Sequence, residues 1–181
     1  MRAGAAGRLA VLAALIPLLV ALTGCTATAA PAPSASVSGE AASQLLPNIS
    51  TPLIPAAVQT EAERLVAQLV STIPGTQVRN NDSHSQEVVK TIAPGGHYWG
   101  VISTLSLTST TDAAATARAL SKSLLAAGWI QRDSTDTAAN FLSALASSGD
   151  PKTAWFVVVG ADLSVVTQPV VTVQLASPDL P

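Results

Sequence analysis

Cysteine, histidine and charged residues are all scarce in this sequence. The 181 residues include one cysteine and two histidines, and charged residues make up only 11% of the chain. A single thiol cannot form an intrachain disulfide, so a disulfide framework is excluded. The thiol also lies in the N-terminal 25 residues, so the domain that follows has no cysteine for a metal or redox site. No segment clusters Lys and Arg, which argues against nucleic acid or anionic lipid headgroups as partners.

Recognisable catalytic motifs are also missing. The sequence has no Gly-x-Ser-x-Gly elbow, no Ser-x-x-Lys, no His-Glu-x-x-His and no glycine loop of the phosphate-binding types. No cofactor is therefore predicted, and an enzymatic activity is the less favoured interpretation.

The N-terminus has the three-part layout of a secretory signal. Arg2 and Arg8 precede an uncharged, mostly aliphatic run over residues 9–22, and small residues follow. A membrane-spanning helix needs about 20 apolar residues, whereas this run is shorter and contains Pro17. Residues 1–24 are therefore predicted to be a signal peptide. Without its two arginines, the formal net charge of −2 becomes −4.

The only cysteine ends the stretch "LTGC", which is residues 22–25. This stretch resembles the lipobox of bacterial lipoproteins. The resemblance implies cleavage before Cys25, a diacylglycerol thioether (palmitate, for example) on its sulfur, and anchoring in the lipid bilayer at the extracytoplasmic face of the cell membrane. Two or three acyl chains make such an anchor stable. The alternative is ordinary secretory cleavage after residues 27–29, "ATA", which leaves a soluble protein.

Residues 25–50 are predicted to be the lipidated cysteine followed by a disordered linker. The stretch is rich in Ala, Ser, Thr and Pro, and Glu40 is its only charge, so it cannot bury enough apolar surface to fold. As a flexible chain it spans about 25 to 30 Å. Residues 51–181 then form a single domain.

The first half of that domain contains two amphipathic helices and one clear strand. Apolar residues at spacings of three and four predict a helix that begins at Thr51 or after Pro55 and ends before Pro74. A short strand is possible near residues 76–79, and "HYWGVISTLSL" alternates as a half-buried strand. A second helix follows, with a capping box at Ser109 and Asp112 and a left-handed glycine, Gly128, after its end.

The second half is predicted to be mostly β-structure. Trp129 begins one strand, and "AWFVVVG" and "PVVTVQLAS" are two more. Residues 137–147 fit either a helix or a strand, and we favour a strand because the segments then form a meander. The expected class is α+β, with an antiparallel or mixed sheet of four to six strands and two helices on one face. Together with the lipobox and linker, this order resembles small lipoproteins of high-GC Gram-positive (actinobacterial) species, a resemblance that carries no functional residues.

Two candidate sites emerge from the residues. The polar stretch "NNDSHSQE", interpreted as a loop, brings potential metal ligands near a second histidine, and two histidines with carboxylates suit zinc or non-haem iron. A solvated loop is the favoured interpretation, because the spacing matches no local motif. The four potential ligands are Asp82, His84, Glu87 and His97.

The other candidate is apolar. Strand alternation places one set of side chains on the sheet face that two helices on the opposite side cannot cover. This face suits a protein partner or an apolar ligand, unless residues 137–147 or a homodimer cover it. The residues that define it are Tyr98, Ile102, Phe156 and Val158.

The sequence thus predicts a membrane-anchored extracytoplasmic lipoprotein with a non-catalytic binding domain. Its partner is another envelope protein or a small apolar molecule, which the domain could also carry in a cavity between sheet and helices. The alternative from a different class is a metal-assisted envelope hydrolase.

Overall fold

The structure is a computed structural model that describes residues 43–49, 51–91, 96–109, 111–162, 164 and 167–181. The signal peptide and Cys25 lie outside the described residues. No helix among the described residues is long and apolar enough to cross a membrane.

The chain forms two helices and one six-stranded sheet. Every pair of neighbouring strands is antiparallel, and the order across the sheet is β1-β2-β6-β5-β4-β3. The predicted α+β class is confirmed. Of the four to six strands expected the sheet has six, and of the two expected arrangements it is antiparallel. In chain order the elements are α1 (Pro55–Ser71), β1 (Val78–Val89), β2 (His97–Leu107), α2 (Ala113–Ala126), β3 (Ile130–Asp136), β4 (Asn140–Ala146), β5 (Phe156–Asp162) and β6 (Val170–Ala176).

Both helices pack on one face of the sheet through the predicted apolar stripes. In α1 the stripe includes Val58 and Leu65, and in α2 it includes Leu120 and Leu124, all of which are buried. They meet the alternate strand residues that point towards the helices, and these form one continuous core. The opposite sheet face has no helix on it in the described part of the chain.

The helix ends follow local chemistry. Helix α1 begins with Pro55 at its first position, where the missing N–H costs nothing. In α2 the cap is Asp112, whose carboxylate accepts a hydrogen bond from Ala115 N at 3.0 Å, so the predicted box starting at Ser109 is wrong. Gly128 has the expected positive φ, 104°.

The polar stretch around residues 80–87 is a strand, and the loop prediction is wrong. It forms the middle of β1, which pairs with β2 along almost its whole length from Val78 to Val89. The signal was hidden because β1 lies at the sheet edge, where both faces are largely exposed and hydrophobic alternation is absent. The strand near residues 76–79 is the start of β1, after a short 3₁₀ turn at Gly75–Gln77.

Residues 137–147 supply strand β4, as favoured. Strands β3, β4, β5 and β6 form the expected meander, although β3 begins at Ile130, one residue after Trp129. Because β4 is part of the sheet, this segment does not cover the open face.

Residues 43–49, which we call the strap, pack on the helix side of the sheet. They were predicted to belong to the disordered linker. Leu45 is 3% exposed and belongs to the core. Its carbonyl accepts a hydrogen bond from Trp129 Nε1 at 2.8 Å. Arg64 donates to the carbonyls of Gln44 and Leu46 at 2.7 and 3.0 Å. The composition of this stretch concealed one leucine, Leu45, which completes the core beside both helices.

Candidate functional site

The sheet face opposite the helices, which we call the open face, carries the predicted apolar residues. The register pairs His84 with Ile102 and Phe156 with Ala176, so these side chains project from the same face. Ile102 and Phe156 remain 43% and 39% exposed, although their neighbours along the strands are buried. The predicted orientation of Tyr98, Ile102, Phe156 and Val158 therefore agrees with the strand register.

These four residues line a single groove of about 180 Å³, which we call the open-face groove. It crosses β1, β2, β6 and β5. Besides the predicted four, its lining comprises His84, Gln86, Val88, Gly100, Gln174, Leu175 and Ala176.

The groove exists because of side-chain size along one row of the sheet. The register aligns Gln86, Gly100, Ala176 and Phe156 across four strands. The two central residues are the smallest amino acids, whereas the two outer ones stand above the sheet, so the row forms a valley. A Cβ added at Gly100 would lie 3.2 Å from Val88 Cγ2, inside the valley.

The groove walls combine apolar and polar groups. Tyr98, Ile102 and Val158 supply apolar surface, and Gln86 and Gln174 supply amide donors and acceptors. An apolar lining with a few polar groups is the usual composition of a binding site. His84 at one end lies with Nε2 3.4 Å from Asp82 Oδ1, in a largely exposed pair.

Sequence reasoning missed the members from β1 because that strand was interpreted as a loop. It also passed over Gln174 and Ala176, although the alternation in β6 places them opposite the buried Val173 and Leu175. That alternation could have identified them.

The four potential metal ligands do not form one site. Asp82 and His84 project from the open face, whereas Glu87 lies on the other face, where it pairs with His97 Nδ1. Two residues of opposite parity on a strand point to opposite sides, so the four cannot converge. Among the described residues no group of three or more His, Cys, Asp or Glu side chains could hold a metal ion.

His97 instead fastens the C-terminal tail to the sheet. Its Nε2 lies 3.1 Å from the carbonyl oxygen of Pro181. The backbone carbonyl of His97 accepts a hydrogen bond from Leu180 N at 2.8 Å. The hydrogen bond with Glu87, helped by the Pro181 carbonyl and the charge of Asp179, raises the pKa of His97 above its ordinary value. A protonated imidazole donates from both nitrogens, which suits these two acceptors.

A larger cleft of about 580 Å³ lies between the end of α1 and the start of α2. Five threonines line it, and the hydroxyls of four of them bond within the protein. Thr72 Oγ1 donates to Leu69 O at 2.7 Å, and Thr108 and Thr111 pair with each other at 2.7 Å. Since these hydroxyls already have partners within the protein, they are not free to orient a ligand in this cleft.

Comparison with protein-family models, curated proteins and solved structures finds no match for this chain. The groove is therefore the feature from which the function is inferred.

Proposed function

We propose that this protein is a membrane-anchored extracytoplasmic lipoprotein whose domain binds an apolar group in the open-face groove without catalysis. The observation that carries the proposal is the convergence of Tyr98, Ile102, Phe156 and Val158 on one groove. The lipobox-like stretch ending at Cys25 supports attachment to the membrane surface.

The size of the groove limits what it accepts. A volume of about 180 Å³ is close to the roughly 150 Å³ cavity that accommodates benzene, and below the roughly 300 Å³ at which sites for drug-sized ligands begin. The groove therefore suits one aromatic or branched aliphatic group. Such a group is a side chain of another envelope protein or the apolar part of a small molecule.

A metal-assisted hydrolase receives no support from the positions of Asp82, His84, Glu87 and His97, which divide between two faces. A carrier with its cavity between sheet and helices also lacks support. The void there is about 10 Å³ and is lined by core residues. This is too small for any organic ligand.

The experiment uses a photoreactive phenylalanine analogue in place of Phe156, in the full chain in its own envelope. The matched control places the same analogue at Ile130, which is 43% exposed on the open face but outside the groove. We expect a discrete crosslinked product from position 156 that is absent from position 130.

Two variants then test the groove itself. Phe156→Asp removes the apolar wall, and Gly100→Ala narrows the valley, while Ile130→Asp is the control. For these variants the photoreactive analogue is moved to Ile102, another residue of the groove. We expect the first two to lose the native ligand mass or the protein crosslink, with an unchanged circular dichroism spectrum. Equal capture by all three variants would refute the groove as the binding site.

A further inference from the structure

The outer edge of β1 is long and unpaired within the described part of the chain. Lys90 N donates to Gly96 O across the β1–β2 ladder at 2.8 Å, and bonded positions alternate in an antiparallel pair. The even-numbered residues of β1 therefore bond to β2. The residues that direct N–H and C=O away from β2 are Asn81, Ser83, Ser85 and Glu87.

This edge differs from the edge at the other side of the sheet. Strand β3 is shorter, with seven residues against twelve, and a register shift between Gln131 and Asp133 interrupts it. Bulges of this kind protect an edge from further pairing. In β1 the register shift lies at the end, between Val78 and Asn80, and the centre has no proline or lysine.

We propose that two copies of this chain associate through β1, antiparallel, about a two-fold axis at Ser83. The edge is complementary to a second copy of itself. With the axis at Ser83, Asp82 of each copy lies directly opposite His84 of the other, on the open face. Opposite side chains on neighbouring strands are close enough to interact, so each carboxylate can accept a hydrogen bond from the imidazole N–H of the other copy.

Neighbouring registers lack this complementarity. An axis at Asp82 places the two Asp82 carboxylates opposite each other, where like charges are destabilising. An axis at His84 places Asp82 opposite Gln86, so neither carboxylate faces an imidazole. The sequence of the edge therefore selects one register among those that keep the backbone hydrogen bonds.

The backbone supports the same arrangement. Pairing about Ser83 matches Ser83 with itself and Asn81 with Ser85, which gives about six backbone hydrogen bonds between the copies. The axis is perpendicular to the sheet, so both helix faces lie on one side. The straps pack on the helix side of each copy, so both straps lie on the same side of the combined sheet. This arrangement suits attachment of both copies to one membrane.

The test is disulfide crosslinking of the full chain in its own membrane with Ser83→Cys, because hydrogen-bonded cross-strand Cα atoms lie about 5.5 Å apart, within disulfide range. Ser134→Cys on the exposed edge strand β3 is the matched control. We expect a dimer on a non-reducing gel from the first variant only.

Exchange of the residues at positions 82 and 84 then tests the register. In the Ser83→Cys background, Asp82→His or His84→Asp places like residues opposite each other twice, because the interface is symmetric, and should slow dimer formation at least tenfold. The double exchange Asp82→His/His84→Asp restores both pairs and should recover the rate to within about twofold. Both residues are exposed, so circular dichroism should show intact folding in every variant.

Four outcomes would overturn the proposal. They are no crosslink at position 83, equal crosslinking at position 134, a crosslink whose rate ignores the exchange of Asp82 and His84, and a product of position 83 with the mass of a different protein. The crosslink at position 83 and ligand capture at Phe156 are separate readouts. Because His84 lines the open-face groove, ligand capture is measured only with His84 unchanged, so this proposal and the proposed function are tested separately.

Discussion

Two buried serines show how polar side chains are paired between helix and sheet. Ser121 of α2 and Ser143 of β4 are both buried, and their hydroxyl oxygens lie 2.8 Å apart. No buried side-chain nitrogen or oxygen atom in the described residues lacks a hydrogen-bond partner. The serine pair therefore joins helix to sheet at a point where apolar contact is otherwise the rule.

We expect Ser121→Ala alone to destabilise the domain by about 1 to 3 kcal/mol, because Ser143 then loses its partner in a buried site. The double variant Ser121→Ala/Ser143→Ala should recover much of that loss, since no polar group is left unpaired. Urea unfolding measures both free energies. A double variant as unstable as the sum of the two single ones would contradict this account.

His97 makes the attachment of the C-terminal tail depend on pH. Its pKa is raised in the folded protein, first by the hydrogen bond to Glu87. Because this pKa is higher in the folded than in the unfolded chain, protonation of His97 stabilises the fold. The stabilisation is complete below the unfolded pKa of about 6.5 and is lost as pH rises through the folded pKa. Lys90 and Asp179 pair beside it and hold the same tail.

The corresponding measurement is hydrogen exchange at Leu180, whose amide donates to the His97 carbonyl. After correction for intrinsic exchange, we expect protection to fall as pH rises through the raised pKa. His97→Gln keeps a polar side chain but cannot titrate, so its protection should not vary with pH in this way. Equal pH profiles would show that the imidazole does not control the tail.

At the scale of elements, the strap depends on one ion pair. Arg64 Nη2 lies 2.7 Å from Glu61 Oε1, which also accepts from Asn48 N at 2.6 Å. Burial acts to raise the pKa of Glu61, but the Arg64 and Asn48 hydrogen bonds outweigh it and hold the pKa below its ordinary value. The contribution of this group to stability is present above the unfolded pKa, about 4.5, and is lost as pH falls through the folded one.

We expect Arg64→Ala to release the strap, because it removes the bonds to Gln44 and Leu46 and leaves Glu61 without its cation. The loss should be about 1 to 3 kcal/mol. Trp129, bonded to Leu45, should report release as a red shift of its fluorescence. Gln59→Ala, on the exposed side of the same helix, is the control and should leave the spectrum unchanged.

The elements also show where sequence reasoning succeeds. The stripes of α1 and α2 and the alternation in β2 and β6 were readable because each element buries one face. The edge strand β1 was not, since its polar residues carry no burial pattern. The strap was not either, because composition averaged over 26 residues, from 25 to 50, hides the burial of a single leucine.

At the scale of the whole molecule, part of the groove could be predicted from local sequence and part depends on the tertiary structure. Alternation identified Tyr98 and Phe156 as open-face residues. Their convergence depends on β6 lying between β2 and β5, a long-range arrangement that no local pattern specifies. Only this strand order places Gly100 and Ala176 side by side to make the valley.

The proposed membrane attachment also belongs to this scale. We expect Cys25→Ser to move the protein from the membrane fraction to the soluble fraction or the medium, and to abolish metabolic labelling with a palmitate analogue, because no other thiol can take the lipid. Fractionation with immunodetection checks this. Thr26→Ser, the neighbouring residue, is the control. Retention of the labelled lipid by Cys25→Ser would disprove attachment at this site.

The strap also determines how the domain responds to mechanical load. Any pull on the chain ahead of Ser43 enters the fold through the strap, whose contacts include the Arg64 carbonyl bonds and the Trp129 indole. These contacts break one after another as the strap peels, whereas the sheet behind them shares load across many parallel hydrogen bonds. In a pulling experiment the strap should therefore yield as a separate, low-force event, leaving the sheet and its groove intact.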